Sequence, residues 1–67
     1  MSINAVIYRD ESGAYCADVP AMPGCHSDGL TYEEAVANIH EAVSLWVEAQ
    51  EAMAIERTGA QVERISL

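Results

Sequence analysis

Residues Val19 to Thr31, V-P-A-M-P-G-C-H-S-D-G-L-T, leave this chain little freedom of path. A strand-like run from Ala14 to Val19 stops at Pro20, which has no N–H to donate to a sheet ladder. Pro23-Gly24 is a strong turn signal. Cys25 to Asp28 then form a short extended piece that runs antiparallel to the run before it, and Asp28-Gly29 breaks again. Thr31-Tyr32-Glu33-Glu34 opens a helix as a capping box, the Thr31 hydroxyl accepting from the Glu34 amide and the Glu34 side chain returning to the Thr31 amide. Two turns, a strand and a helix start fit into thirteen residues. No catalytic signature accompanies them.

The rest of the chain reads outward from that corner. Ile3 to Arg9 is predicted as a strand with Ile3, Ala5 and Ile7 on one side and Val6 and Tyr8 on the other. Asp10-Glu11-Ser12-Gly13 is a polar connection with a glycine available for positive φ, the mark of a hairpin. Tyr15, Ala17 and Val19 share one face of the return strand and Cys16 lies on the other. Both faces of this hairpin carry apolar groups, so one is expected to meet the helix and the other a partner or a second subunit. The helix runs from Tyr32 to about Ile55, with Ala35, Ile39, Ala42, Val43, Trp46 and Met53 on one stripe and Glu41, Ser44, Glu48 and Glu51 opposite. Trp46 belongs to the core and its N–H needs an acceptor. Gly59 is placed to end the helix or to begin the turn beyond it. Val62 to Leu67 is predicted as a last strand. The expected fold is α+β: a three-stranded antiparallel meander, one long helix and a final strand, β-β-β-α-β.

Sixty-seven residues make a single domain over 1–67, with no separate DNA-binding domain expected. A chain this short buries only about 60% of its unfolded surface, so self-association is the expected source of further stability, as a dimer or tetramer. Neither a signal peptide nor a membrane-spanning apolar run is visible, which predicts a cytoplasmic protein with Cys16 and Cys25 reduced. The net charge of −8, from eleven acidic and three basic residues, argues against direct nucleic-acid binding. It suits a basic partner, whose approach such a field steers, and it also keeps an apolar-rich small domain in solution.

Candidate chemistry is sparse. A two-metal nuclease needs several converging carboxylates. Asp10, Glu11 and Asp28 sit where acidic residues serve turns, and only Asp18 is well placed on a strand. Cys25-His26, with Cys16 and His40, has neither a C-x₂-C nor an H-x₃-H spacing, so no metal site is expected. Adjacent strand residues face opposite ways, so Cys25 and His26 do not make a nucleophile–base pair. No catalytic residue and no cofactor are predicted. Met22, between two prolines, is either a contact residue or packed onto the sheet. The acidic helix face is a solvated surface or one that a basic partner uses.

The arrangement Tyr15-x-Ala17-x-Val19-Pro20-x-Met22-Pro23-Gly24-Cys25-x-Ser27-x-Gly29-x-Thr31-x-x-Glu34-Ala35, continued by Asn38, Glu41-Ala42 and Leu45-Trp46, resembles the HicB antitoxin family. The likeness covers Ile3 to about Glu51. It implies a partial ribonuclease-H-like fold and an antitoxin that neutralises a small basic toxin, HicA. That toxin resembles a double-stranded-RNA-binding domain and cleaves messenger RNA, and the antitoxin blocks its RNA-facing surface. The partner is then expected at the acidic surface and sheet edge near Asp18, Met22, His26 and Asp28, with Glu41 and Glu48 as further acidic contacts. The alternatives are an oligomeric binding or structural module with a different partner, and a residual metal-dependent nuclease resting on Asp18.

Overall fold

The computed structural model describes residues 2–66. Three strands, β1 (Val6–Arg9), β2 (Tyr15–Asp18) and β3 (His26–Gly29), precede one helix, α1 (Tyr32–Thr58). The strands form one antiparallel sheet in the order β1-β2-β3, so β1 and β3 are both edges. This is the α+β meander and helix that the sequence predicts, with strands shorter than their apolar patterns.

The β1–β2 hairpin closes through the side chain of Asp10. Its Oδ1 accepts from the amides of Ser12 (2.8 Å) and Ala14 (3.2 Å), and the Asp10 amide donates to the Ala14 carbonyl at 2.9 Å. Such side-chain capture of nearby amides is what makes aspartate a turn residue. The β2–β3 corner is built from backbone bonds. Val19 N donates to Cys25 O (3.1 Å), Met22 N to Val19 O (2.9 Å), and Cys25 N to Met22 O (2.9 Å). Gly24 takes φ 86° to turn the chain, a conformation L side chains rarely adopt.

Thr31, with φ −126° and ψ 163°, caps α1, its hydroxyl accepting from the Glu34 amide at 3.1 Å. The return bond of the capping box, from the Thr31 amide to the Glu34 carboxylate, is not formed. Glu33 and Glu34 lie in the first turn and Arg57 in the last, each matched to the dipole at its end. Gly59, at φ 68°, stops the helix and donates to Ile55 O at 2.7 Å.

The core is small: Ala17, Val19, Cys25, Ala35 and Ile39 are buried. Ile7, Met22, Ala42, Val43 and Trp46 pack around it, half-covered. Three contacts fix the helix on the sheet. Trp46 Nε1 donates to Pro23 O (3.1 Å), so the expected acceptor is the Pro-Gly turn itself. Asn38 Nδ2 donates to Asp28 O (2.8 Å) on β3. Gly29 faces the first turn of α1 so closely that a Cβ there would lie 2.6 Å from Ala35 N.

The predicted final strand is the one element that differs. Residues 59–66 form no strand and join neither sheet edge; Leu67 lies outside the described residues. A strand needs an edge within reach. Trp46 is the last helix residue tied to the sheet, and α1 continues for twelve residues, about 18 Å, beyond it. Eight extended residues span at most about 28 Å, so about five of them would be used in returning and only about three would remain to pair. Instead Val62 to Ser66 lie beside Glu51, with Ile65 77% exposed.

Candidate functional site: the open face of the sheet

The sheet has one face under α1 and one without cover, and strand register decides which residues go where. Val6 pairs with Asp18 and Asp18 with His26; Tyr8 pairs with Cys16 and Cys16 with Asp28. These six side chains make two rows of three on the face away from the helix. The alternating residues Ile7, Ala17 and Ser27 form the row beneath α1, with Ala17 fully buried.

On the open face the β1 column is apolar and the other two are acidic. Val6 is 50% exposed and Tyr8 46% exposed on the edge strand. Asp18 and Cys16 are half-buried in the middle, and His26 and Asp28 are exposed on the opposite edge. The Tyr8 phenol is raised above its usual pKa, first by hydrogen bonding to the Asp18 carboxylate and then by its charge. Burial is the main cause that lifts the Cys16 thiol. The charges of Asp10, Asp28 and Asp18 and its hydrogen bond to Asp10 Oδ2 (3.6 Å) add to it. Asp10 itself is held below the usual carboxylate range, chiefly by the Ser12 hydroxyl. The face is therefore an acidic surface around a thiol whose ionisation it disfavours.

Of the sequence-derived residues, this face brings together Asp18, His26 and Asp28. Met22 stands apart, packed against the core at the β2–β3 corner. Glu41 and Glu48 are exposed on α1, about a third to half a turn around the helix from buried Ala35 and Ile39, so they point away from the sheet. The six residues thus occupy opposite sides of the molecule. Val6 and Tyr8 were not among them. The signal for both was the alternation in β1, which separates them from Ile7, but only strand pairing sets them beside Asp18.

What the face can do chemically is limited by spacing. Among the described residues no three His, Cys, Asp or Glu side chains converge closely enough to hold a metal ion. Nor is any described helix long and apolar enough to cross a membrane. An open sheet face with an apolar margin on one edge and carboxylates on its middle and far strands is suited to a macromolecular contact rather than to enclosing a small molecule.

Comparison with known proteins places this fold in a family. Residues 3–66 match the model of the HicB-like antitoxins of bacterial toxin–antitoxin systems, and the chain belongs to that family. It is 55% identical over 47 residues to a UPF0150 protein of Helicobacter pylori, covering 70% of this chain and 64% of that one. A UPF0150 protein of Thermoplasma acidophilum is 43% identical over 49 residues, covering 73% of this chain and 71% of its own length. A Synechocystis relative is 43% identical over 44 residues, 66% of this chain and 56% of its own. The matched part thus spans between about half and three quarters of these relatives. No solved structure matches the chain significantly.

Proposed function

We propose that this protein is a cytoplasmic antitoxin that sequesters a small basic toxin of the HicA type, holding it against the open face of the sheet. The observation that carries the reading is the two-row face itself, with Asp18 on the middle strand, Asp28 on one edge strand and Val6 and Tyr8 on the other. Family membership supports an antitoxin role, and the net charge of −8 supports a basic partner. In this mechanism the carboxylates of Asp18 and Asp28 pair with lysine or arginine side chains that the toxin would otherwise present to RNA. Tyr8 supplies the aromatic anchor that gives such a contact its affinity. The protein inhibits by occupying a surface and transfers no group. Glu41 and Glu48 contribute to the long-range field and lie outside the contact.

Co-expression with the product of the neighbouring gene, followed by pull-down and titration, tests this. A small basic neighbour is expected to bind with sub-micromolar affinity. The double variant Asp18→Lys/Asp28→Lys is expected to weaken binding at least about a hundredfold, since like charges then meet. Glu41→Lys/Glu48→Lys, the same charge change on the far side, is expected to cost less than about tenfold. Equal losses from the two pairs would refute the sheet-face contact, and an empty pull-down would refute the toxin reading.

A further inference from the structure

The apolar stripe of α1 is longer than the sheet beneath it. Ala35, Ile39, Ala42, Trp46, Ala49 and Met53 recur at alternating spacings of four and three residues, one continuous line along the helix. The first two are buried and the next two half-buried against the sheet. Ala49 and Met53 continue the line with nothing beneath them, Met53 being 52% exposed. Glu48, Gln50, Glu51, Glu56, Arg57 and Thr58 are the polar residues among the thirteen from Trp46 to Thr58, and none of them interrupts the line as far as Met53. An apolar stripe of that kind ordinarily faces a core or a partner. The projecting segment is also only about three turns long, too short to be stable in water without packing. The tail does not supply the cover, because Glu51, beside which it lies, is nearly half a turn around the helix from Met53.

Size shows how much cover is lacking. The molecule measures 44 × 24 × 16 Å, its long axis close to the length of α1, about 40 Å. Its radius of gyration is 14.4 Å, against about 11 Å for a compact chain of this length. Its accessible surface is 5403 Å², about 1,300 Å² more than a compact protein of 7.2 kDa exposes. A standard specific interface removes about 800 Å² from each partner. The surplus on one chain is therefore enough for one stable contact.

We propose that the projecting end of α1, from Trp46 to Thr58, pairs with the same segment of a second copy to form a two-fold dimer. The four–three spacing matches a helix bearing the same spacing, which packs at a shallow angle with side chains interleaved. A two-fold contact needs one self-complementary patch, and an apolar stripe with small Ala49 beside large Met53 is such a patch. The stripe also suits a copy better than a basic protein, because its own line carries no charge between Ala35 and Met53. The dimer leaves the open sheet face of both copies free, and it stands or falls independently of what that face binds.

Sedimentation and light scattering on the full chain test the pairing. The protein is expected to be a dimer at high micromolar concentration and to dissociate on dilution. Met53→Glu, a good helix former in an exposed turn, is expected to raise the dissociation constant by about a hundredfold or more. Tyr8→Glu, on the open sheet face, should leave it within about threefold. Amide exchange of the native chain gives a second measure that needs no variant. Protection over residues 47–58 should fall on dilution while that over β2 stays the same. A wild type that is monomeric throughout overturns the proposal. So does a dimer broken by Tyr8→Glu and not by Met53→Glu, or protection of residues 47–58 that is independent of concentration.

Discussion

Cys16 shows how a single side chain takes its chemistry from its register. It is half-buried on β2 between Tyr8 and Asp28, with Asp10 accepting its S–H. Burial first, and then three carboxylates, disfavour the thiolate and raise its pKa above the ordinary value of 9.0. The unfolded chain lacks that penalty and loses the proton more readily as pH rises. The contribution of Cys16 to stability is therefore complete below the ordinary thiol pKa and is lost as pH climbs through the raised one. Alkylation of native protein by iodoacetamide at pH 8 is expected to be slower at Cys16 than in denaturant. Its rate–pH midpoint should lie above 9.0 and fall part of the way back in Asp10→Asn. A midpoint that ignores the Asp10 change would show that the carboxylate does not act on the thiol.

At the scale of elements, the helix start and the β3 end are fitted as one joint. Asn38 bonds the Asp28 carbonyl, Thr31 caps the helix, and Gly29 lets the backbones meet. Replacing Gly29 with alanine sets a methyl 2.6 Å from Ala35 N and 2.9 Å from the Glu34 carbonyl carbon, both main-chain atoms that yield only if the helix moves. Gly29→Ala is expected to destabilise the fold by about 2 kcal/mol or more, read as a lower urea midpoint with an unchanged slope. The strand, turn and helix start between Val19 and Thr31 were legible because each rests on a local rule: proline without an N–H, glycine at positive φ, a hydroxyl three residues before an amide. Gly29 was legible only as a turn glycine. Its tighter constraint comes from the helix laid over it, which no local pattern reveals.

For the whole molecule, charge and surface are distributed unevenly. The open sheet face carries carboxylates on its middle and far strands, whereas the projecting helix end carries the uncovered apolar stripe. The first surface attracts a basic partner at long range and the second only on contact. Raising salt from about 50 to 500 mM is accordingly expected to slow association of the basic partner at least tenfold, with a smaller change in its release rate. The self-association constant should change far less, because the hydrophobic term is not screened. Stopped-flow mixing with the purified partner at several ionic strengths measures the first quantity and sedimentation the second. A salt-independent association rate would remove electrostatic steering from the mechanism.

Sequence alone determined three strands, two turns, a helix capped at Thr31 and an acidic surface, because each follows from φ preferences, hydrogen-bonding groups or periodicity within a few residues. It also carried the family likeness. Tertiary structure decided three further matters. Strand pairing put Asp18, His26 and Asp28 on one face beside Val6 and Tyr8, and left Glu41 and Glu48 on the far side. The packing of Trp46 on Pro23 set where the sheet ends beneath the helix. That limit in turn left few tail residues within reach of an edge, and an apolar run that reads as a strand stayed unpaired over Val62 to Ser66. Each depends on contacts between distant residues, and a strand in particular exists only where another strand lies within hydrogen-bonding reach.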